Sequence, residues 1–351
     1  MALGNHDSVT DVHLGKMGFG RTEPEVGVGA RETTLDWQAF AERFRTIEGN
    51  VERVVQGKHH EIRLAVAALV AEGHILIEDV PGVGKTMIAK ALARSIDCSF
   101  RRIQFTPDLL PTDVTGVNVF NQERGDFEFK PGAIFANIVL GDEINRASPK
   151  TQSALLESME ERQVTIDTET YLLGVPFMVI ATQNPIEHEG TYPLPEAQLD
   201  RFMMRIGIGY PTAAVEAEIL ATHGVRSTLP DIGAVTDALA VREMIERARE
   251  VHVSGDIRRY IVDLVEATRR HPDLYLGASP RASIMLLRAA RAIAAADERD
   301  YVIPDDVKGL ALPVLSHRVI VTADAVMGGK TSSMVLRELL AEVAVPVAGT
   351  A

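Results

Sequence analysis

One cysteine, Cys98, is present in 351 residues. A lone thiol excludes an internal disulfide and an all-cysteine zinc site. Aromatic residues are scarce at 5%, so leucine, isoleucine, valine and alanine must fill the core. No apolar run reaches the roughly 18 residues that a bilayer crossing needs, so no membrane span is expected. The N-terminal stretch is polar and glycine-rich, without the continuous apolar segment of a secretory signal, and the expected location is cytoplasmic. Positive charge is in deficit too, with 36 lysines and arginines against 49 acids and a formal charge of −13. Nucleic-acid binders draw most of their affinity from phosphate neutralisation and present a basic face. Here the basic residues are scattered among acids, the densest pairs being Arg258–Arg259 and Arg269–Arg270, so nucleic acid is an unexpected partner. The ten histidines form no metal-ligand cluster; His59–His60 and His188 read as surface or turn residues.

Apolar residues make up 46% and charged residues 24%, the profile of a soluble globular chain. The length allows one large domain and a smaller one. Residues 1–33 lack any periodicity and read as a disordered extension. Order is expected from Leu35, where Trp37, Phe40, Phe44 and Ile47 share one helix face. A second helix over Lys58–Ala71 places Ile62, Val66 and Leu69 on one stripe. Short apolar strands then alternate with helices. The strands are His74–Glu78, Arg101–Phe105, Ile138–Asp142, Phe177–Thr182 and Arg205–Tyr210; helices begin at Lys85 and at Pro149. This alternation predicts an α/β domain over 34–211, a parallel five-stranded sheet flanked by helices. From Pro211 the strand signals vanish and helical stripes dominate, predicting a smaller all-α domain over 212–346 and a flexible tail over 347–351.

The chemistry gathers at the strand ends. Pro81-Gly82-Val83-Gly84-Lys85-Thr86 follows the first strand and opens a helix. Successive amides with few side chains can wrap a phosphate, and the helix N-terminus adds a favourable field. Lys85 would reach the β- and γ-phosphates of ATP and the Thr86 hydroxyl would hold Mg²⁺. The general pattern G-x-x-x-x-G-K-[ST] has glycine where this chain has Asp79. Gly328-Gly329-Lys330-Thr331 imitates the motif, with Asp324 at the same position, but no sheet pattern surrounds it and it reads as a flexible loop. The strand Ile138–Asp142 ends in Asp142-Glu143, where Asp142 would hold Mg²⁺ and Glu143 would polarise the attacking water. Asn184, at the tip of the following strand, would orient that water and sense the γ-phosphate. Arg201 precedes the fifth strand and is placed to act on a neighbouring subunit's ATP, with Arg205 competing for the role. Arg281 opens a helix of the second domain, from which it would fold over the phosphates.

These residues, in this order and spacing, resemble the AAA+ ATPases. Three longer strings are similar to the MoxR family within them: Glu78–Thr86 (EDVPGVGKT), Gly141–Gln152 (GDEINRASPKTQ) and Ala181–Phe202 (ATQNPIEHEGTYPLPEAQLDRF). Asp79 fits that family's variant of the loop. The resemblance covers residues 36–346 and implies a strand order of 5-1-4-3-2, a hexameric ring and ATP at subunit interfaces. It places Val55 and Gly57 near the adenine and completes the nucleotide set with Met87. It implies two inserted hairpins, at Gly116–Gly132 and about Gln163–Val175, projecting from one face of the ring. It further implies a chaperone-like role in assembling or activating protein complexes, with a von Willebrand factor A domain partner and a client the sequence does not name. Two other readings compete: a nucleic-acid or magnesium-chelatase-like motor subunit, and a non-catalytic nucleotide-binding scaffold. The acidic balance and the MoxR strings weigh against the first, and the complete set of site residues against the second.

Overall fold

The computed structural model describes residues 35–80, 82–184, 190–223 and 229–346. The expected N-terminal extension and C-terminal tail lie outside the described residues, as do Pro81 and His188. Helices α1 (Trp37–Glu52) and α2 (His59–Val70) lead into β1 (Ile75–Glu78), and α3 (Lys85–Ser95) into β2 (Phe100–Gln104). A short α4 (Pro111–Thr115) opens a hairpin of β3 (Gly116–Asn121) and β4 (Asp126–Pro131). Next come β5 (Ile138–Asp142), α5 (Pro149–Glu161), a second hairpin of β6 (Gln163–Ile166) and β7 (Glu169–Leu172), β8 (Met178–Gln183), α6 (Glu196–Leu199) and β9 (Met204–Ile206). The second domain holds α7 (Ala213–His223), α8 (Ala238–Arg249), α9 (Gly255–Arg270), β10 (Leu274–Leu276), α10 (Pro280–Ala296), α11 (Pro304–Leu315), β11 (Ile320–Val321), α12 (Ala323–Met327) and α13 (Ser332–Glu342).

Local signals set the helix starts. The Asp36 carboxylate accepts from the Ala39 amide at 2.6 Å and caps α1. Ser148 caps α5 with Pro149 at its first position, where the missing N–H costs nothing. Phe40, Phe44 and Ile47 of α1 are fully buried, as are Ile62, Val66 and Leu69 of α2, so the apolar stripes point where their spacing required.

The central sheet runs β2-β5-β8-β1-β9, and its strand pairs are parallel. Counted in chain order within the sheet and read from the opposite edge, this is 5-1-4-3-2. Its middle strands are buried along nearly their whole length, as a sheet covered on both faces requires. Parallel strands send all their carboxyl ends to one edge, and the loops carrying Lys85, Thr86, Asp142, Glu143 and Asn184 leave from that edge. The fifth strand ends at Ile206, sooner than its apolar pattern extends, because the Gly209 amide donates to the Asp79 carboxylate and pulls the chain out of the ladder.

The two hairpins join into one platform. Phe129 stacks on Tyr171 at 4.1 Å, and the Asn118 amide donates to Asp167 at 2.7 Å. At the exposed tip of the first hairpin, Phe120 and Phe127 pack edge to face at 5.3 Å, with 51% and 70% of their surfaces accessible.

The second domain differs from its all-helical expectation in one respect. β10 and β11 form a short antiparallel ladder. The imitation motif has a definite role beside it. Lys330 donates to Asp273 at 2.7 Å and to Glu338 at 3.1 Å, so the expected flexible loop is a charged clamp between the ladder and α13. His271, Asp273 and Glu338 converge there in the manner of a cation site, and the cation among them is the lysine ammonium. Across the seam between domains, Arg318 is nearly inaccessible and pairs with Asp200 at 2.7 Å. The same guanidinium donates to the carbonyls of Asp200 (3.0 Å), Phe202 (2.5 Å) and Met203 (3.1 Å). Ser279 adds a hydrogen bond to the other Asp200 oxygen at 2.9 Å. On the far side of the seam the guanidinium of Arg247, in α8, lies 3.8 Å from the ring centre of Trp37, in α1.

Two buried histidines fasten the same region. His74 bridges α5 and β8, with Nε2 against the Met159 carbonyl at 3.1 Å and Nδ1 accepting from the Val179 amide at 2.9 Å. Burial holds its pKa down to about 4. Burial, aided by the Arg318 charge, also holds His317 well below its ordinary value. Both rings fold neutral, whereas in the unfolded chain they take up protons near pH 6.5. Stability from this source is therefore complete above pH 6.5 and drains as pH falls toward 4, by at most about 1.4 kcal/mol per pH unit per group. Thermal melts should show a falling midpoint between pH 6.5 and 4.5. His74→Gln, which keeps one donor and one acceptor but cannot titrate, should lose less over that interval. Equal slopes in the two proteins would refute the assignment.

Candidate active site

A cavity of about 330 Å³ opens at the carboxyl edge of the sheet, lined by Gly82, Gly84, Lys85, Thr86, Asp142, Glu143 and Asn184. Gly82 and Gly84 have φ of +86° and +94°, and nothing lies within 4 Å of where their side chains would begin. Backbone conformation rather than crowding demands glycine there. The loop passes directly into α3 at Lys85, and the Lys85 ammonium donates to the Asp79 carbonyl at 2.7 Å. Asp79 accounts for its own departure from the general pattern. Its side chain accepts from the Val80 amide at 2.7 Å and from the Gly209 amide, which moors the entry of the phosphate loop to the exit of β9.

The acidic pair is set by one hydroxyl. Thr182, fully buried on β8, donates to Asp142 Oδ1 at 2.6 Å and accepts from the Glu143 amide at 2.9 Å. Arg102 holds the other Asp142 oxygen at 2.6 Å. Glu143 has φ +58° and ψ +51°, a left-handed conformation costing a non-glycine residue on the order of 1–3 kcal/mol. Its Oε2 accepts from Gln104 Nε2 at 2.9 Å and pairs with Arg146 at 3.2 Å. The sequence reading missed Thr182, Arg102 and Gln104 as site residues. A usable signal existed for the last two, since alternate positions on a strand share a face and β2 lies next to β5.

At the expected adenine end, Val55 is buried and Gly57 has φ +71°. Val215 of α7 stands 2.9 Å from where a Gly57 Cβ would be, so any side chain there collides with the second domain. Lys58 donates to the Ile208 carbonyl at 2.5 Å and the Tyr210 carbonyl at 3.1 Å. Val83 and Met87 pack, half-buried, against the main core.

Two arginines lie elsewhere. Arg201 and Arg281 line a second cavity of about 380 Å³ with His74, Met159 and Glu160. Arg201 Nε pairs with Glu160 Oε2 at 3.1 Å, and Arg281 pairs with Oε1 of the same carboxylate. Arg281 therefore does not fold over the phosphate loop of its own chain, as the sequence reading expected. The Arg318 and Ser279 contacts seat the second domain against the Asp200–Met203 segment instead, and the Arg281 pair with Glu160 brings the start of α10 to the end of α5. Arg205, the competitor of Arg201, pairs with Glu78 on the adjacent strand at 2.9 Å.

The two longer strings are bound to each other. Gln152 donates to the Tyr192 carbonyl at 2.9 Å, and the Tyr192 amide donates to the Asn145 carbonyl at 2.6 Å.

Comparison with known proteins agrees with this geometry. Residues 74–204 match the ATPase family associated with various cellular activities (AAA), and residues 266–339 match the AAA lid domain. The chain is 43% identical to the chaperone MoxR1 of Mycobacterium tuberculosis, covering 91% of this chain and 84% of that one. It is 50% identical to the Bacillus subtilis protein YeaC, covering 85% and 93% respectively. It is 33% identical to the protein MoxR of Paracoccus denitrificans, covering 82% and 90%. A crystal structure of a candidate ATPase from Cytophaga hutchinsonii superposes with a TM-score of 0.83 at 40% identity, over 89% of this chain and 97% of that one.

Thr182→Val keeps the volume and removes the hydroxyl that both acids share. The loss of hydrogen bonds to charged groups, about 1.5–3 kcal/mol, should lower kcat for ATP roughly tenfold or more with an unchanged circular-dichroism spectrum. Wild-type turnover in the folded variant would remove Thr182 from the site.

Proposed function

This chain belongs to the MoxR family of AAA+ ATPases, and we propose that it hydrolyses Mg-ATP at interfaces between copies of itself. The observation that carries this reading is the division of charge between two cavities. One gathers the loop, Lys85, Thr86, both acids and Asn184; the other holds Arg201 and Arg281 on a single carboxylate. Arg201 and Arg281 can complete a triphosphate in the first cavity only if another copy brings them.

The residues present fit the nucleotide. The amides of Gly82 to Lys85 wrap phosphate oxygens, Pro81 begins the loop, and Val55, Gly57, Val83 and Met87 border the base and sugar. Thr86 and Asp142 are the groups that would hold Mg²⁺, which when bound neutralises charge on the β- and γ-phosphates. Lys85 exchanges its contact with the Asp79 carbonyl for phosphate oxygens. Glu143 takes the proton from the attacking water as the water oxygen bonds to the γ-phosphorus and ADP departs. Asn184 orients that water. Arg201 and Arg281 of the adjacent copy place positive charge where it develops on the transferring phosphoryl group.

The ring, hexameric by family resemblance, would put this cycle to chaperone-like assembly or activation of a protein complex. The hairpin platform, with Phe120 and Phe127 exposed, is the surface that suits the client or a von Willebrand factor A domain partner. Among the described residues no helix is long and apolar enough to cross a membrane; the cytoplasm is the proposed compartment.

Glu143→Gln should bind a fluorescent ATP analogue as wild type does, with kcat reduced at least about 100-fold. Retained turnover would end the assignment of the base. Lys85→Ala should lose nucleotide affinity in the same titration. Mixing Arg201→Ala with Glu143→Gln subunits should restore part of the activity that each lacks alone, because mixed interfaces rebuild one complete site; confirmed mixed assemblies without activity would count against catalysis across subunits.

A further inference from the structure

Glu160 is not one of the groups that chemistry at the phosphate cavity requires, and it stands outside that cavity. It nevertheless gathers guanidinium groups from two other elements. It lies in the last turn of α5; Arg201 lies in the turn between α6 and β9, and Arg281 in the first turn of α10. One carboxylate oxygen takes each arginine. Without that carboxylate, two like charges from different domains would share one surface with no opposite charge between them.

The mode of pairing is informative. The nitrogen of Arg201 nearest to Glu160 is Nε, 3.1 Å from Oε2. A guanidinium approached from its Nε side keeps its planar two-donor fork on the opposite side, the half of the group that binds phosphate in bidentate fashion. All three side chains are about one-third exposed, at 34% for Glu160 and Arg281 and 27% for Arg201. Ion pairs so open to water contribute little to stability, so fold maintenance is a poor account of this cluster. Nearby carboxylate charge is already committed, since Glu72 pairs with Arg162 and Arg249.

We propose that Glu160 is a positioning residue that aims Arg201 and Arg281 together at the triphosphate held by the adjacent copy of the chain. This rests on the reading that the two arginines act across the interface. Glu160 touches neither nucleotide nor water, and it works by fixing the directions of two groups that do. It also makes the lid part of the arginine face, because Arg281 reaches the pair only while α10 is seated against α5.

The test uses the full chain. Glu160→Gln should lower kcat about tenfold or more, with KM and fluorescent-analogue affinity within twofold of wild type and a melting midpoint within a few degrees. Glu160→Asp, which keeps the charge but draws it back by one methylene, should fall between the two and serves if the glutamine variant fails to fold. Mixing sorts the defect by face. Glu160→Gln subunits should recover activity with Glu143→Gln subunits, whose arginine face is intact, and should gain none with Arg201→Ala subunits. Turnover within twofold of wild type or above it, a rise in KM at constant kcat, or recovery with Arg201→Ala would overturn the role of Glu160. A failure of the underlying reading has a different signature, the absence of recovery between Arg201→Ala and Glu143→Gln.

Discussion

A charge buried at a seam holds this molecule in its working shape. Arg318 is withdrawn from water to the point where burial lowers its pKa to about 10, against the opposing pull of Asp200. A charge so placed is tolerated only because one carboxylate and several carbonyls surround it. Those partners, Asp200, Phe202 and Met203, flank Arg201. The lid thus grips the backbone on both sides of the arginine proposed to serve the neighbouring copy. His317, against the Phe202 carbonyl at 3.0 Å, and Ser279, on Asp200, close the same segment from other directions.

The site has the same economy at the sheet edge. Thr182 fixes both acids from the next strand, and Asp79 ties the loop to the exit of β9. The acidic pair is thereby referred to the sheet, and the phosphate loop to the chain leaving it. Glu143 in a left-handed conformation is the cost of this arrangement, and the Thr182 hydroxyl on its amide is what keeps it there.

Much of this was legible in the sequence, for physical reasons. Apolar spacing identifies α1, α2 and the middle strands because their burial has one period and one direction. The loop, Asp142, Glu143 and Asn184 could be placed because a parallel sheet delivers strand ends to one edge. Arg281 was misplaced because the sequence contains no record of how the lid seats; the Arg318 contacts that decide it join residues more than a hundred positions apart. Thr182 stayed hidden because a buried threonine in an apolar strand looks like one more β-branched core residue. Lys330 looked free because its partners, Asp273 and Glu338, come from separate elements.

The contact between Trp37 and Arg247 has a practical corollary. Trp37 is the only tryptophan in the chain, and its indole sits between the first helix and the lid. A cation on the ring face alters both emission energy and quantum yield. The molecule therefore carries its own optical gauge of lid position, readable during nucleotide addition without an attached dye, and no second indole confuses the signal.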